Sequence, residues 1–599
     1  MPRDPPERGL RRDHTAARQA ASAAGGTPGP LLSRRVDSRE IASGASARGE
    51  RGPRHWLVLL ALLLAVLTLQ ALSGALTAEL ATADEPAHFV SGLLVRDYLA
   101  GGLGSPPLDF AREYYSHYPK IAIGNWPPLF YGVLGIWLLP LPATAASAVL
   151  LMTLITALLG WLVYRALQPV LGTACAIFGA GLLIVLRPVQ AYAGMVMLEN
   201  ALALIATAAM LLWARFLTQG SLRDAGAFGL LALVGLLTKG NAIFLALLPP
   251  LAIVVGRRWD VLRSRALWLT ALALLLLAGP WMWYFLDHVR TGWKAATPSV
   301  AYAGSALAAY APSLVQPLGV AGAVLLALGI WARIPRTVER TAEQSLWISA
   351  ASLILAVLLL HVIVPAGIGT RHLIPAFPAL IMFVAAGAYQ AAGWLSRRGV
   401  GDRTATALVI GSAALVFGSG AFRLADRADR GYRAAALAVL EHAAAVQPTT
   451  MLIVSDAVGE GSFIVEVATR DRDRPSHTVW RGSNLLALNT WAGRRYRMRA
   501  ASDPGVLQLL EEAAIRYIVI DRAAFSRHQR QLQQVVRGNP ERFHRVAALP
   551  LRRNQRRYSQ GLVVYEMLAA DGRAAAPRIR QVPGYDGVEA VPGSSNPSP

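Results

Sequence analysis

The sequence predicts a polytopic α-helical membrane protein with a small α/β domain after the last membrane helix. Hydrophobic residues make up 54% and charged residues 16% of the 599 residues, whereas soluble domains usually carry about 25% charged residues. Apolar runs long enough to enter or cross a bilayer recur between residues 55 and 421. Beyond residue 422, strand-like segments alternate with helix-like segments, which is typical of an α/β domain.

Composition and charge exclude several kinds of protein. The single cysteine, Cys175, excludes a disulfide framework and a cysteine zinc site. The net charge is +22, but the basic residues lie in short Arg clusters between apolar runs and in the polar ends. No single basic element could follow a nucleic-acid groove. We therefore expect the lipid bilayer as a partner and no nucleic acid.

The N-terminal part of the chain sets the orientation. Residues 1–54 predict a disordered, basic cytoplasmic tail, since they are rich in Arg, Gly, Ser, Ala and Pro without apolar periodicity. The first apolar run covers about residues 55–77. The tail holds 11 Arg against 6 acids, whereas residues 78–127 hold six acids against three basic residues. The positive-inside rule then predicts that the tail is cytoplasmic and that loop 78–127 lies outside.

Three further Arg clusters fix the remaining topology. Two apolar runs separate each cluster from the next, so all three clusters can be cytoplasmic, and the run 404–421 then exits. The clusters are Arg257/Arg258/Arg263/Arg265, Arg333/Arg336/Arg340 and Arg397/Arg398/Arg403. The runs 128–141, 146–164 and 172–190 leave room for two crossings, so one run is re-entrant or merged with a neighbour. We predict about 11 spans within residues 55–422.

The remaining residues predict an extracytoplasmic α/β domain over 423–575 and a disordered tail over 576–599. MLIVSD (451–456) predicts a strand and GSFIVEVATR (461–470) the helix that follows it. VLQLLEEAAIRYIVID (506–521) predicts a helix and then a strand, and GLVVYEML (561–568) another strand.

Adjacent carboxylates mark the first outer loop. Asp84 and Glu85 follow the first span by about seven residues, and neighbouring carboxylates repel each other. A general base beside a carboxylate that orients a substrate would explain the pair. The structural alternative is that Asp84 caps a helix with Pro86 in its first turn.

Two basic side chains of the same loop are further candidates. His88 falls four residues after Asp84, on the same helical face. It either binds substrate, forms a hydrogen bond with the acid, or is a surface histidine without a role. Lys120 is one of only three lysines in the chain, with Lys239 and Lys294. The main interpretation of Lys120 is a solvated lysine, and the scarcity of lysine makes a functional role the alternative.

Four other polar residues lie at predicted outer-face boundaries. Glu199 begins a span, where an acid is favourable at a helix N-terminus, or it completes an acidic site with Asp84. Lys239 and Arg371 could bind phosphate, one as a point charge and one as a bidentate clamp. They could otherwise be interfacial residues without a role. His372 follows Arg371, and His361 is interpreted as a buried polar contact.

The order of these motifs resembles the GT-C superfamily of membrane glycosyltransferases. DEPAHF, WPPLFY, MVMLEN, LLTKGN and RHLIPAFPAL occur in the family's order over residues 55–420. The pattern is most similar to the group of protein O-mannosyltransferases and lipid A aminoarabinose transferases. Relatives often carry His or Lys before the Pro-Pro pair where this chain has Trp126, so Lys120 or His88 would replace that contact.

The resemblance implies a polyprenyl-phosphate-linked sugar donor, an active site at the outer membrane face and transfer with inversion. It implies that Asp84 is the catalytic carboxylate, with Glu85 in the same motif. Lys239 and Arg371, with Lys120, would bind the donor phosphate. His88, Glu199 and His372 would bind substrate. The acceptor outside the cytoplasm could be a lipid, a glycan or a protein.

Two other functions compete with this interpretation. A transporter or flippase of lipid-linked intermediates would place ionisable residues near the bilayer midplane, on broken helices. A scaffold would give no reason for Asp84, Glu199, Lys239 and Arg371 to converge. Two alternatives for a metal are open: Asp84 and Glu199 could hold a divalent cation, Mg²⁺ or Mn²⁺, or Lys239 and Arg371 could stabilise the phosphate without one.

Overall fold

The computed structural model describes residues 55–568 except for 123–125, 293–296, 335–339, 366, 444–447, 489–495, 524–525 and 555–556. The predicted tails, 1–54 and 576–599, lie outside the described residues. Helices dominate the described chain up to residue 443, and a mixed β-sheet follows.

The helices before the sheet are bounded as follows: α1 His55–Leu72, α2 Glu85–Asp97, α3 Pro107–His117, α4 Leu129–Trp137, α5 Ala145–Val185, α6 Arg187–Ala193, α7 Glu199–Gln219, α8 Leu222–Thr238, α9 Leu248–Gly256, α10 Arg265–Gly292, α11 Val300–Val315, α12 Gly319–Arg333, α13 Ala342–Ile363, α14 Phe377–Ser396, α15 Asp402–Gly420 and α16 Tyr432–Ala443. A short 3₁₀ turn, Gly240–Ala246, follows α8, and another, Thr370–Ala376, precedes α14. Within the described residues, eight helical segments are long and apolar enough to cross a membrane.

The early helices explain why the count of spans is hard to read from the sequence. The predicted runs 146–164 and 172–190 are joined in the 41-residue helix α5, which is kinked near Pro169 and Gly172. The run 128–141 forms only the nine-residue helix α4, too short for a hydrocarbon core of about 30 Å. Gly172 has non-helical backbone angles, φ +77° and ψ 168°, so α5 consists of two helical segments that meet at this residue. The choice between a re-entrant and a merged run therefore stays a prediction. The total of eleven spans stays a prediction.

Helix α14 lies at the centre of the helical domain, and its side chains are almost all buried. Helix α12 crosses it so closely that a side chain at Gly329 would meet the carbonyl of Phe383, and one at Gly387 the carbonyl of Leu325. Small residues allow such backbone contact between membrane helices. By contrast, α10 and α15 leave most of their apolar surface exposed, as expected for helices that face lipid.

The C-terminal part is a five-stranded sheet of order β2-β1-β5-β7-β6. β1 pairs in parallel with β2 and β5, whereas β7 is antiparallel to β5 and β6. The remaining elements are β1 Thr450–Val454, α17 Ala457–Arg470, β2 Thr478–Arg481, α18 Gly482–Leu485, β3 Ala487–Leu488, β4 Arg497–Met498, α19 Asp503–Glu512, β5 Tyr517–Asp521, α20 Arg527–Gly538, β6 Phe543–Asn554 and β7 Arg557–Met567. Strands and helices occupy the segments where the sequence predicts them. The domain boundaries at 423 and 575 stay predictions.

The sheet shares its core with the segment after α1. One buried cluster joins Phe89 of α2 and Tyr114 of α3 to Met451 of β1 and Phe463 of α17. The hydroxyl of Ser462 also donates to the carbonyl of Leu80, at 2.8 Å. The C-terminal part thus packs directly on the polypeptide that carries Asp84.

Candidate functional site

Asp84 stands at the start of α2, but its side chain does not cap that helix. The Nη1 atom of Arg371 instead donates to Oδ2 of Asp84 at 2.8 Å. Arg371 lies in the 3₁₀ turn that precedes α14. Residue 84 occupies the N-cap position, so the capping alternative is right about its place and wrong about its hydrogen bond.

A second ion pair joins Glu199 and Lys239. Glu199 is the first residue of α7 and Lys239 follows the last residue of α8, so two neighbouring helix ends meet here. Nζ of Lys239 donates to Oε1 of Glu199 at 2.7 Å. The Glu199 side chain is 2% exposed and the Lys239 side chain 12%, which makes this a buried salt bridge.

The two pairs meet at one small cavity between the helix ends, about 10 Å³ in volume, which is room for a single hydroxyl group or water molecule. Its polar lining consists of Glu199, Lys239, Asn241, His361, Arg371 and His372, and Leu202, Phe244 and Pro375 complete it. Asp84 is joined to this lining through Arg371. Oε2 of Glu199 is buried and has no hydrogen-bond partner among the described residues. A ligand hydroxyl in the cavity would satisfy that oxygen.

Two histidines form the far side of the cavity. Nδ1 of His361 lies 2.8 Å from the carbonyl oxygen of Val357, which can only accept, so Nδ1 carries the proton. Nε2 then accepts from Nδ2 of Asn241 at 3.1 Å. The ring of His372 stacks on His361 with centroids 4.9 Å apart. His361 is the buried polar contact that the sequence indicates, and it lines the cavity as well.

The charge on Asp84 is fixed by its neighbours. Burial by itself would raise the pKa of the Asp84 carboxyl, but the hydrogen bond and charge of Arg371 outweigh it, so that the pKa falls below its ordinary value. Asp84 is therefore an ionised carboxylate at neutral pH. Burial lowers the pKa of His88 to about 4 despite the nearby charges of Asp84 and Glu199. His88 is thus neutral, and its Nδ1 lies 2.9 Å from the hydroxyl of Tyr131.

Lys120 does not line the cavity and lies instead under the C-terminal part. A side chain at Gly461 of α17 would come within 3.1 Å of Cε of Lys120 and 3.0 Å of Pro86, so α17 covers the start of α2 at close contact. Burial, with the charge of Arg481, lowers the pKa of Lys120 to about 7, although Glu460 and Asp84 oppose the shift. Lys120 therefore titrates near neutral pH.

Glu85 points away from the cavity into a separate ion pair. Its Oε1 and Oε2 atoms accept from Nη1 and Nη2 of Arg427, each at 2.9 Å. Oε1 also accepts from the backbone N–H of Val196 at 3.1 Å. The Glu85 side chain is fully buried. Both of its oxygens are thus engaged within the protein.

The two carboxylates considered for a divalent cation, Asp84 and Glu199, are each paired with a basic side chain. Among the described residues, no group of three or more His, Cys, Asp or Glu side chains is placed to hold a metal ion. The positive charge beside these carboxylates is therefore that of Arg371 and Lys239.

The structure thus brings together Asp84, Glu199, Lys239, Arg371 and His372, whereas Glu85 and Lys120 lie outside the cavity lining. A scaffold without a site would not explain this convergence. The sequence analysis missed Asn241, although it is the last residue of LLTKGN. It also missed Arg427, which lies in a polar segment where several arginines offer no signal to single one out.

Comparisons with known proteins find similarity in sequence and in fold. The family model of dolichyl-phosphate-mannose-protein mannosyltransferases matches residues 127–284, a range that includes Glu199 and Lys239. No curated protein sequence matches the chain. The structure of ArnT from Cupriavidus metallidurans in the apo state is similar with a TM-score of 0.53 and 15% identity, and the match covers 87% of this chain and 99% of ArnT.

The archaeal oligosaccharyltransferase AglB from Archaeoglobus fulgidus, in complex with an inhibitory peptide and a dolichol-phosphate, has a TM-score of 0.47 and 11% identity. That match covers 78% of this chain and 69% of AglB. The match to the mannosyltransferase family and the fold of ArnT confirm the resemblance that the motif order indicates.

Proposed function

Because the chain has the fold of the GT-C membrane glycosyltransferases, we propose that it transfers a sugar from a polyprenyl phosphate to an acceptor hydroxyl outside the cytoplasm. One observation carries the proposal: the pairs Asp84–Arg371 and Glu199–Lys239 meet at one cavity where several membrane helices end. The matching family is named for a lipid-phosphate-linked mannose donor and a protein acceptor. We place the protein in the bacterial inner membrane, with its N-terminus cytoplasmic and its C-terminal part outside.

The leaving group explains the two cations. The donor is a phosphodiester with one negative charge, and the departing polyprenyl phosphate gains a second charge as the bond to the anomeric carbon breaks. Lys239 and Arg371 lie on the lining of the cavity and so can stabilise that developing charge. In a site shielded from bulk water such fixed charges act more strongly than they would in water.

Asp84 is the group that receives the proton. In the proposed step the acceptor oxygen bonds to the anomeric carbon, its proton moves to a carboxylate oxygen of Asp84, and the sugar–phosphate bond breaks with inversion. Asp84 loses its charge as the phosphate gains one. Arg371 can therefore turn from Asp84 toward the phosphate, and the net charge of the site does not change.

The remaining polar groups of the cavity suit a sugar. Oε2 of Glu199 is a buried acceptor without a partner among the described residues, so a sugar hydroxyl can donate to it. His372 on the lining and neutral His88 next to Asp84 are proposed to contact the substrates by hydrogen bonding. Lys120 is proposed to reach the donor phosphate from beneath α17. We further propose that transfer needs no added Mg²⁺ or Mn²⁺, because Arg371 and Lys239 already supply positive charge, and assays with EDTA test this.

Sugar transfer in membranes tests the proposal directly. Membranes with wild type, Asp84→Asn or Asp109→Asn are given a panel of labelled polyprenyl-phosphate hexoses and pentoses with the host's own acceptors. Asp109 is a matched control, since it is an exposed acid of the same loop whose partner is Arg112. We expect transfer by wild type and Asp109→Asn, and a loss of at least about 10²-fold in Asp84→Asn at equal protein level.

The other outcomes are equally informative. Undiminished transfer by Asp84→Asn would remove Asp84 from the mechanism. Absence of transfer from every donor, together with movement of a labelled lipid between leaflets, would support the transporter alternative. The labelled product of wild type identifies the sugar and the acceptor in the same experiment.

A further inference from the structure

Arg427 joins four segments of the chain beside the proposed site. It lies between α15 and α16, and its guanidinium binds both oxygens of Glu85. Nη1 also donates to the carbonyl of Gly194 at 2.8 Å, and Nη2 to the carbonyl of Glu79 at 3.1 Å. Its own backbone N–H donates to the carbonyl of Ser73 at 2.7 Å.

Two glycines, Gly74 and Gly194, lie next to Arg427. Gly74 has a φ of +75°, and a side chain there would lie 2.7 Å from the carbonyl oxygen of Arg427. A side chain at Gly194 would meet Cβ of Ala75 at 2.9 Å and Cδ of Arg427 at 3.7 Å. The backbone carbonyl of Arg427 is therefore packed against Gly74, where a side chain would not fit, and the Arg427 side chain is in ordinary contact with the Gly194 position.

The groups that Arg427 binds are close along the chain to the two carboxylates of the site, Asp84 and Glu199. Glu85 is the neighbour of Asp84, and both stand at the start of α2. Gly194 and Val196 belong to the short connection into α7, whose first residue is Glu199. Glu85 binds the N–H of Val196 while Arg427 binds the carbonyl of Gly194. The Glu85–Arg427 pair thus ties the start of α2 to the connection that ends at Glu199.

We propose that Arg427 is a positioning residue, which with Glu85 sets the spacing between Asp84 and Glu199. This inference rests on the proposed function for the roles of those two carboxylates. Arg427 does not act on the substrate itself, because its bonds are to protein groups and its side chain is only 10% exposed. Glu85 then serves the reaction by holding Asp84 toward Arg371 rather than as a second catalytic carboxylate.

A pH profile separates positioning from a merely structural role. Arg427→Lys and Arg427→Gln are compared with wild type and with Arg423→Gln, a control in the same segment whose Nη1 atom donates to the carbonyl of its neighbour Phe422. We expect kcat to fall about 10-fold in Arg427→Lys and about 10²-fold in Arg427→Gln. In both variants the acidic limb of the pH profile of kcat/KM should shift upward by about one pH unit. The limb moves because Asp84, no longer aligned with Arg371, loses the contact that lowers its pKa. If the substitutions only reduced the fraction of folded, active enzyme, the rate would fall but the shape of the pH profile would stay the same. An unchanged shape would therefore overturn the inference.

Thermal unfolding provides a test that does not need catalysis. In a double-mutant cycle, Arg371→Gln and Arg427→Gln are expected to be non-additive in Tm, since each disturbs the placement of Asp84 although they have different partners. Arg371→Gln and Arg423→Gln are expected to be additive. Additivity of the first cycle would overturn the inference, whereas an inactive wild type with a non-additive cycle would overturn only the proposed function. If Arg427→Gln does not fold, Glu85→Gln/Arg427→Gln takes its place, because it leaves no unpaired buried charge.

Discussion

At the scale of single residues, the site keeps its charges by pairing them. Each carboxylate near the cavity has its own cation: Arg371 for Asp84, Lys239 for Glu199 and Arg427 for Glu85. A single buried charge would be costly among apolar helices, and loss of one partner leaves the other uncompensated. Paired charges stay ionised and can exchange partners when a phosphate arrives.

Replacing Lys239 separates its role in pairing from its role in transfer. Lys239→Met leaves the buried carboxylate of Glu199 without a cation, so we expect a loss of about 3–5 kcal/mol in stability. We also expect transfer to fall about 10²–10³-fold. Lys239→Met/Glu199→Gln removes both charges and should recover Tm but not transfer. Tm and initial rates of the purified protein check these values.

The control is Arg112→Met, which removes the partner of Asp109 from an ion pair whose two side chains are 68% and 62% exposed, and it should cost no more than about 1 kcal/mol. If the double variant also recovered transfer, Lys239 would only neutralise Glu199 and would have no role toward the phosphate.

The pH dependence of transfer should report on Lys120. Its pKa of about 7 means that its positive charge is present below pH 7 and lost as the pH rises through that value. We therefore expect kcat/KM for the donor to fall above about pH 7, and Lys120→Arg, which keeps its charge, to move this limb upward. A pH–rate profile of both proteins measures the effect. An unchanged basic limb in Lys120→Arg would assign that limb to another group.

At the scale of elements, the site depends on how closely the helices approach. Arg371 and His372 stand on the turn that leads into α14, and α12 crosses α14 with direct backbone contact at Gly329 and Gly387. The position of α14 therefore decides where Arg371 meets Asp84. At both glycines the backbones of α12 and α14 are in contact, so a side chain would fit there only if one of the two helices moved.

Replacing Gly387 should disturb that approach. Gly387→Val places a branched side chain against the carbonyl of Leu325, so we expect α12 to separate from α14, with a loss of at least about 1–3 kcal/mol and reduced transfer. Gly418→Val in α15 is the matched control, because nothing lies within 4 Å of a Cβ at that position. Tm and transfer rates of both variants test whether only Gly387→Val lowers stability and transfer. Equal behaviour of the two would show that the close crossing does not matter.

At the scale of the whole molecule, the C-terminal sheet and the segment after α1 share a core. Phe89, Tyr114, Met451 and Phe463 belong to one buried cluster, and α17 covers Pro86 and Lys120. Neither part can bury its apolar surface without the other. The C-terminal part is therefore expected to shape the site and not merely to select an acceptor.

Truncation should accordingly abolish transfer to every acceptor. A chain ending at residue 431 lacks α16 and the sheet, so the apolar faces of α2 and α3 become exposed and Asp84 loses its support. A chain ending at residue 568 keeps all the described residues and should transfer at the wild-type rate. Transfer assays and limited proteolysis compare the two proteins. Transfer by the shorter chain with only a changed choice of acceptor would restrict the C-terminal part to acceptor binding.

The sequence by itself determined the membrane class and the strands of the C-terminal part. These features follow from local properties: the length of apolar runs, alternation of strand and helix patterns, and the bias of Arg along the chain. The motif order added the superfamily. The break within α5 was less accessible to prediction, because a kink at Gly172 can either join two apolar runs or separate them.

Only the tertiary structure decided which carboxylate of Asp84–Glu85 pairs with a residue of the cavity lining. Both residues have the same chemistry in the sequence, and their partners lie 287 and 342 residues away, at Arg371 and Arg427. No local pattern distinguishes those partners from the other arginines of the chain. Their pairing is set by how α2, α7 and α14 pack, and packing depends on the simultaneous fit of segments that are distant in the sequence.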